Sequence, residues 1–528
     1  MSFNHWTFPY PSQRMPVFAR NVVATSQPLG AQAGVNIMRR GGNAVDAALA
    51  TAIALTVVEP TMNGIGSDAF AIVWDGDTLT GLNSSGRSPR AWTREHFDQH
   101  QTMPSFGWDS VTVPGCVAAW TALSERFGVL PFEDLFEPAI EYAEQGFQVG
   151  LITAGVWERF AALFRSFPGF QSTFVFDGRT PDPGELVRLP HHAKTLREIA
   201  ASRGESFYRG DLAQRIARHA SETGGLLDAA DLAEHEPEWV DLIGIDFAEH
   251  RLHEIPPNAQ GVAALIALGV LQRTGITETA VDSAESLHLQ IEAMKIGIAE
   301  AAAHVADLEY LRVDLDELLS DAYLESHAAN VDPNVAREHG SMLPTSPDTV
   351  YLSAADADGR MVSYIQSNFF GFGSGIVVPE TGIAFQNRGA GFSLERGHVN
   401  EVAGGKRPFH TIIPGFVTKS GDPTMSFGVM GGSMQPQGHV QMMVRVFLYD
   451  QNPQAAVDAP RWQVMGNGLV AVEGGFAPEV LDGLKARGHK VAVGVSGESM
   501  GGAQLIYRMQ DGYCAASDPR KEGQAVGF

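Results

Sequence analysis

The sequence predicts a mixed α and β fold in which helices and strands pack in layers. Helical stretches broken by glycine fill much of the first part of the chain, and from Thr349 onward short strand-like runs alternate with glycine-rich loops. The composition, 44% hydrophobic and 19% charged, is that of a compact globular protein, and 57 glycines point to many turns or close backbone approaches. At 528 residues the chain exceeds an ordinary single domain, although enzymes of this length can share one continuous core.

Taken in order, Gly41-Gly42 stops a first helix, Asn43 caps the next, and Ala44 to Val58 follows as a buried, alanine-rich helix. The tight loop Asn63 to Asp68 leads into a strand over 69–74. Further helices are expected over 114–127, 131–145 and 283–307, the last with an apolar stripe at Leu287, Ile291, Met294 and Ile298. Residues 340–348 are polar and proline-bearing, and Pro347 disfavours helix at Ser346, so an exposed linker is expected there. Residues 349–355 read as a strand, Asp358-Gly359 as a hairpin turn and 361–366 as the returning strand. A helix over 478–487 and a strand over 503–509 follow.

A net charge of −24 repels phosphate backbones, which disfavours a nucleic-acid partner. Cys116 and Cys514 are too few for a disulfide framework and read as small core residues. The first sixteen residues carry no apolar signal region, and the run from Ala47 to Val58 is too short to span a bilayer, so a cytoplasmic protein without a membrane partner is expected. His191-His192 are adjacent rather than spaced as helical metal ligands, and neither a metal nor a cofactor is implied. Gly497-Glu-Ser-Met-Gly501 matches the nucleophile elbow of serine hydrolases. A strand is expected after it instead of a helix, and no histidine lies beyond His489.

A threonine that begins a chain can be its own catalyst. Its free α-amine, with a pKa of about 7.7–8.0, can take the proton from its hydroxyl at neutral pH. The stretch from Thr349 to Gly359, followed by Phe372-Gly-Ser-Gly-Ile-Val-Val-Pro379 and Lys406-Arg-Pro408, resembles the start of the small subunit in γ-glutamyltransferases. Gly41-Gly-Asn-Ala-Val-Asp46, Val58-Glu-Pro60, Gly64-Ile-Gly66, Val113-Pro-Gly115 and Ser517-Asp-Pro-Arg520 also fall in family order, so the resemblance covers nearly the whole chain. It implies an αββα four-layer N-terminal-nucleophile sandwich and a precursor that cuts itself between Asp348 and Thr349. The products would be a large subunit, 1–348, and a small catalytic subunit, 349–528, sharing one core. Thr349 would then be the nucleophile, and the amides of Gly431 and Gly432 would stabilise the oxyanion. The implied unit is this heterodimer, and a dimer of heterodimers is one assembly it allows.

The resemblance breaks down where the glutamyl group would be held. Ser85 stands at the spacing of the family's carboxylate-clamping arginine, with Arg87 nearby; Gly391 replaces the aspartate that holds the α-amine, and Phe369 replaces a second, asparagine ligand. Ser367 keeps a family hydroxyl, His410-Thr411 replace paired serines, and Arg388 has appeared beside the missing aspartate. The substrate-binding candidates are therefore Ser367, Arg388, His410, Thr411 and Arg87, in a pocket richer in positive charge and poorer in amine recognition. The connection from Leu394 to Gly405 is shorter than in family members with a lid, which favours hydrolysis over transfer. Three functions are compatible with these residues: an amidohydrolase of a small carboxylate-bearing amide, as the oxamate amidohydrolases and cephalosporin acylases are; a γ-glutamyl hydrolase or transferase acting on glutathione; and an uncleaved binding protein.

Overall fold

The computed structural model describes residues 13–338, 348–466, 468–495 and 497–528. The expected linker over 340–348 therefore lies outside the described residues, apart from the backbone of Asp348. Two seven-stranded sheets dominate. In the first, the strands run in the order Gln524–Gly527, Val22–Thr25, Asp348–Ala355, Met361–Phe369, Asp68–Trp74, Leu79–Ser84 and Glu238–Val240. In the second the order is Val17–Ala19, Gly512–Ser517, Ala503–Met509, Asp422–Val429, Gly415–Lys419, His250–Glu254 and Ile243–Phe247. Strands from before and after Thr349 interleave in both sheets.

Side-chain alternation explains why these strands stack face to face. Val350, Leu352 and Ala354 enter the core shared with the helices Pro28–Arg39 and Ala44–Val58, whereas Tyr351 and Ala355 enter the core between the sheets. Phe70 and Ile72 also face the second sheet, which contributes Phe416, Ile506 and Ala515 to that inner core. Met425, Phe427, Val429 and Leu505 point outward from the second sheet onto the helices Gly261–Leu271, Ala284–His304 and Met434–Met443. Three apolar cores between four layers make the expected αββα sandwich.

The helix at Ala44–Val58 forms as expected, with Asn43 and Asp46 completing a reciprocal cap. Other boundaries moved for identifiable reasons. The helix expected over 131–145 is a 3₁₀ turn, Phe132–Phe136, followed by a helix over Glu137–Gln145, because Pro138 lacks the N–H a continuous helix needs and suits a first turn. The helix expected from Pro114 starts at Cys116, since Gly115 and Cys116 both donate their amides to Ser67 O, at 3.0 and 2.9 Å. The long helix ends at His304 rather than Asp307, whose carboxylate turns to Arg87 and to the Arg407 amide. Its apolar stripe is broader than expected, with Ser286 to Ile298 buried all round.

Cys116 and Cys514 are free and buried. Asp518, from the Ser-Asp-Pro-Arg motif, is a buried anchor: it lies 2.5 Å from Arg461, pairs with Arg520 at 3.1 Å and accepts from the Ala503 amide at 2.7 Å. His288, Glu292 and His489 are buried and bring ligand atoms within 4.8 Å of one another. An ammonium already supplies the positive charge there. Lys295 Nζ donates to Glu292 at 2.6 Å and to Arg337 O at 3.0 Å, while the Arg337 amide donates to Glu292 at 2.9 Å, so the cluster straps down the backbone near Arg337. Among the described residues, no helix is long and apolar enough to cross a membrane.

Candidate active site

Thr349 lies at the start of the central strand Asp348–Ala355, where the ladder with Met361–Phe369 slips by one residue between Asp348 and Val350. Ser367 and Asn368 together face Thr349 across this bulge, a device that re-aims side chains beside active sites. Thr349 is buried, with Oγ1 3.2 Å from Ser367 Oγ, and Gln435 Nε2 approaches it at 3.5 Å. Ser367 Oγ is positioned in turn by the Phe369 amide, which donates to it at 2.8 Å.

The strand Asp422–Val429 delivers the glycine pair to this end of the sandwich. Gly431 and Gly432 both have positive φ, +122° and +59°, and lead into the helix Met434–Met443. Neither glycine amide donates a hydrogen bond among the described residues, although both are buried. Gln435 joins the two parts of the site, since its backbone amide donates to Gly432 O at 3.1 Å and its side chain reaches Thr349. Gln260 braces the same loop, donating through Nε2 to Gly432 O at 2.9 Å and also to Thr411 O. Gly501 backs it from the other side: Met430 N donates to Gly502 O at 3.0 Å, and a β-carbon at Gly501 would lie 1.9 Å from Met430 O.

Arg388 sits in the short 3₁₀ turn Arg388–Gly391 and is 1% exposed. Its Nη1 donates to Thr411 Oγ1 at 2.6 Å, and its guanidinium carbon lies 4.7 Å from the centroid of the Phe369 ring. Nε and Nη2 are buried with no hydrogen-bond partner among the described residues. Burial lowers this guanidinium to a pKa of about 9, against the opposing pull of Asp68. Burial likewise raises Asp68 to about 7, despite Arg388 and the Gly86 and Gly115 amides, which donate to Oδ1 at 3.3 and 3.1 Å.

The structure redistributes several roles expected of the substrate pocket. His410 does not present a nitrogen to a substrate: Nε2 is 3.0 Å from Asp68 Oδ2, and Nδ1 accepts weakly from the Ile412 amide at 3.4 Å. Burial, with Arg388 and Arg407, holds the ring well below its ordinary pKa, so His410 is a neutral donor to Asp68. Thr411 supports Arg388. Arg87 is not brought to Thr349's neighbours: it bonds Asp307 at 2.7 Å and Gly405 O at 3.1 Å, with Glu238 and Glu309 within 4 Å. A guanidinium held among three carboxylates is not a clamp for a fourth. Ser85 is committed to Asn83 and Asn258.

Asp68, Gln260, Gln435 and Gly501 escaped the sequence reading as site residues. Asp68 closes the Asn63 to Asp68 loop and Gln435 follows the glycine pair by three residues, so local signals existed; the contacts that give them meaning span up to 342 residues of sequence. The nucleophile-elbow motif is a 3₁₀ turn, Gly497–Met500, before the strand Ala503–Met509, rather than the strand–turn–helix that chemistry requires. His192 is buried in the helix Pro190–Ser202.

Two face-to-face sheets between helices, with a threonine at a strand start joined through Gln435 to a Gly-Gly loop whose amides donate no hydrogen bond among the described residues, define an enzyme of the N-terminal-nucleophile amidohydrolase class. The chain belongs to the γ-glutamyltranspeptidase family, whose model matches residues 30–528. It is 36% identical over 521 residues to the glutathione hydrolase-like YwrD proenzyme of Bacillus subtilis, covering 96% of this chain and 98% of that one. It is 34% identical over 517 residues to the oxamate amidohydrolase proenzyme of Klebsiella pneumoniae, covering 95% and 97%. The crystal structure of cephalosporin acylase from Bacillus halodurans superposes with a TM-score of 0.96 at 45% identity, covering 100% of this chain and 99% of that one.

Proposed function

We propose that this protein is a self-processing amidohydrolase that cleaves between Asp348 and Thr349 and then hydrolyses a small carboxylate-bearing amide, such as oxamate or an acyl amide, through a threonyl acyl-enzyme. The observation that carries this reading is the Thr349 hydroxyl at a strand bulge, linked through Gln435 to the Gly432 carbonyl in a loop whose two glycine amides donate no hydrogen bond among the described residues. In the processed protein the Thr349 α-amine takes the proton from Oγ1, and Oγ1 attacks the amide carbonyl. Gly431 and Gly432 donate to the developing oxyanion, one such donor being worth roughly 3–4 kcal/mol of barrier. The amine leaves with a proton, and water hydrolyses the ester to free the acid and restore Thr349.

The same attack on the Asp348 carbonyl accounts for processing, after which 1–348 and 349–528 stay together as one core through their interleaved strands. The relatives named as an oxamate amidohydrolase and a cephalosporin acylase support an amide other than a γ-glutamyl one. The short connection from Leu394 to Gly405, pinned by Asn400 between Gly391 O at 2.7 Å and the Phe409 amide at 3.1 Å, favours water over a second acceptor. Active protein should run as fragments of about 37 and 19 kDa. N-terminal sequencing of the smaller one should read Thr-Val-Tyr-Leu; fully active protein that remains a single chain would refute the mechanism.

A further inference from the structure

Gln435 is wholly buried in the first turn of the helix Met434–Met443, and its side-chain amide has a fixed orientation. Oε1 accepts from the Ile413 backbone amide at 2.9 Å, which the amide nitrogen could not do, so the atom that faces Thr349 Oγ1 at 3.5 Å is the Nε2 donor. The hydroxyl is arranged to match. Thr349 Oγ1 donates to Ser367 Oγ at 3.2 Å and receives from Gln435.

The frame that aims this donor also shapes the oxyanion loop. The Gln435 backbone amide donates to Gly432 O at 3.1 Å, and the Met434 amide donates to Gly431 O at 3.0 Å. In a trans peptide the N–H points opposite to the C=O, so holding the Gly431 carbonyl turns the Gly432 N–H the other way. The segment that fixes Oε1 is tied to the same loop, because Gln260 Nε2 donates to both Thr411 O and Gly432 O. Nucleophile and oxyanion donors are therefore held in one register, with the Gln435 side chain as the link to Oγ1.

An N–H cannot take the hydroxyl proton, so Gln435 is not the base. What it can do is stabilise negative charge on Oγ1, and in a buried site such a bond is strong. That charge develops twice. In acylation the α-amine takes the Oγ1 proton, Oγ1 bonds to the carbonyl carbon, and the C–N bond breaks as the proton passes to the leaving amine. In deacylation the α-amine takes a proton from the attacking water, the C–Oγ1 bond breaks with its electron pair on Oγ1, and the α-ammonium returns the proton to it.

We infer that Gln435 is a catalytic residue in both half-reactions, its Nε2–H donating to Oγ1 as charge builds there, separate from the oxyanion pair Gly431 and Gly432. This rests on the reading of Thr349 as nucleophile.

The test compares Gln435→Met and Gln435→Glu in the full chain, with kcat referred to the processed fraction and a thermal melt as folding control. Both keep the backbone amide on Gly432 O. Gln435→Met should lower kcat by about 10- to 100-fold, the worth of a hydrogen bond to a charged group, with KM within threefold of wild type. Fragment appearance should slow as well, because the same oxygen attacks Asp348. In Gln435→Glu the carboxyl accepts from the Ile413 amide in either protonation state but donates to Oγ1 only when protonated, and burial raises its titration into the measurable range. The kcat ratio of Gln435→Glu to Gln435→Met should therefore rise as pH falls; the α-amine titrates in both and does not create this rise. Should Gln435→Met fail to melt cooperatively, the ratio is taken to wild type. A ratio that stays flat with pH, a Gln435→Met protein within threefold of wild-type kcat, or a loss confined to KM would overturn the role of Gln435 while leaving Thr349 in place. Hydrolysis that survives Thr349→Ala would instead overturn the nucleophile reading.

Discussion

Gly501→Ala tests the oxyanion loop without touching a substrate. Gly501 has φ +75°, where an L-residue costs on the order of 1–2 kcal/mol, and the new methyl would lie 1.9 Å from Met430 O. That oxygen belongs to the peptide whose N–H is the Gly431 amide. Relieving the clash requires a displacement of about 1 Å in a close-packed wall, and tilting the peptide by that amount stretches a hydrogen bond of about 2.9 Å beyond useful range. Loss of one oxyanion donor is worth roughly 2.7–4 kcal/mol, so kcat should fall about 10²- to 10³-fold. Because the donor acts on the transition state, KM should move little. Initial rates on the best amide, with fragment appearance and a thermal melt as folding controls, measure this. A folded Gly501→Ala protein within threefold of wild-type kcat would show that the 430–431 peptide is not the donor.

Other expectations are as direct. Thr349→Ala should abolish both cleavage and turnover, whereas Thr349→Ser retains part of each; gel bands and activity on the same preparations decide it, and residual hydrolysis in Thr349→Ala would point to Ser499 as the next nucleophile to test. With Asp68 near pKa 7, its proton leaves as pH rises through neutrality and the new anion offsets Arg388, so KM for an anionic amide should rise with pH across that range. Burial holds His410 well below its ordinary pKa, so Asp68→Asn should flatten the KM profile. Burial alone would raise the Asp518 carboxyl, but Arg461, Arg520 and the Ala503 and Arg520 amides bring it below its ordinary range, so its stabilisation is present above the unfolded pKa and lost as pH falls through the lowered one. Asp518→Leu, which strands Arg461, should cost about 3–5 kcal/mol by denaturant titration at neutral pH.

Much of this architecture is written locally. The Ala44–Val58 helix is declared by its cap and alanine run, and the Thr349 strand by its β-formers and the Asp358-Gly359 turn, because short-range hydrogen bonding and side-chain period decide such elements. Where Gly115 or Asp307 answered to a neighbour outside its own segment, the boundary moved, and Pro138 moved one by its missing N–H. The same division runs through the site. Order and spacing in the sequence by themselves determined the family, the candidate threonine and the glycine pair, since each depends on residues near one another in the chain. Tertiary structure alone decided how the two candidate cations are surrounded. Arg87 and Arg388 are equally plausible as letters, but packing surrounds the first with Asp307, Glu238 and Glu309 and leaves the second buried with one edge unmatched among the described residues. A guanidinium's role is set by the charges and donors placed around it in space, and for Arg388 those come from Thr411, Phe369 and Asp68, brought together only when the sheets stack.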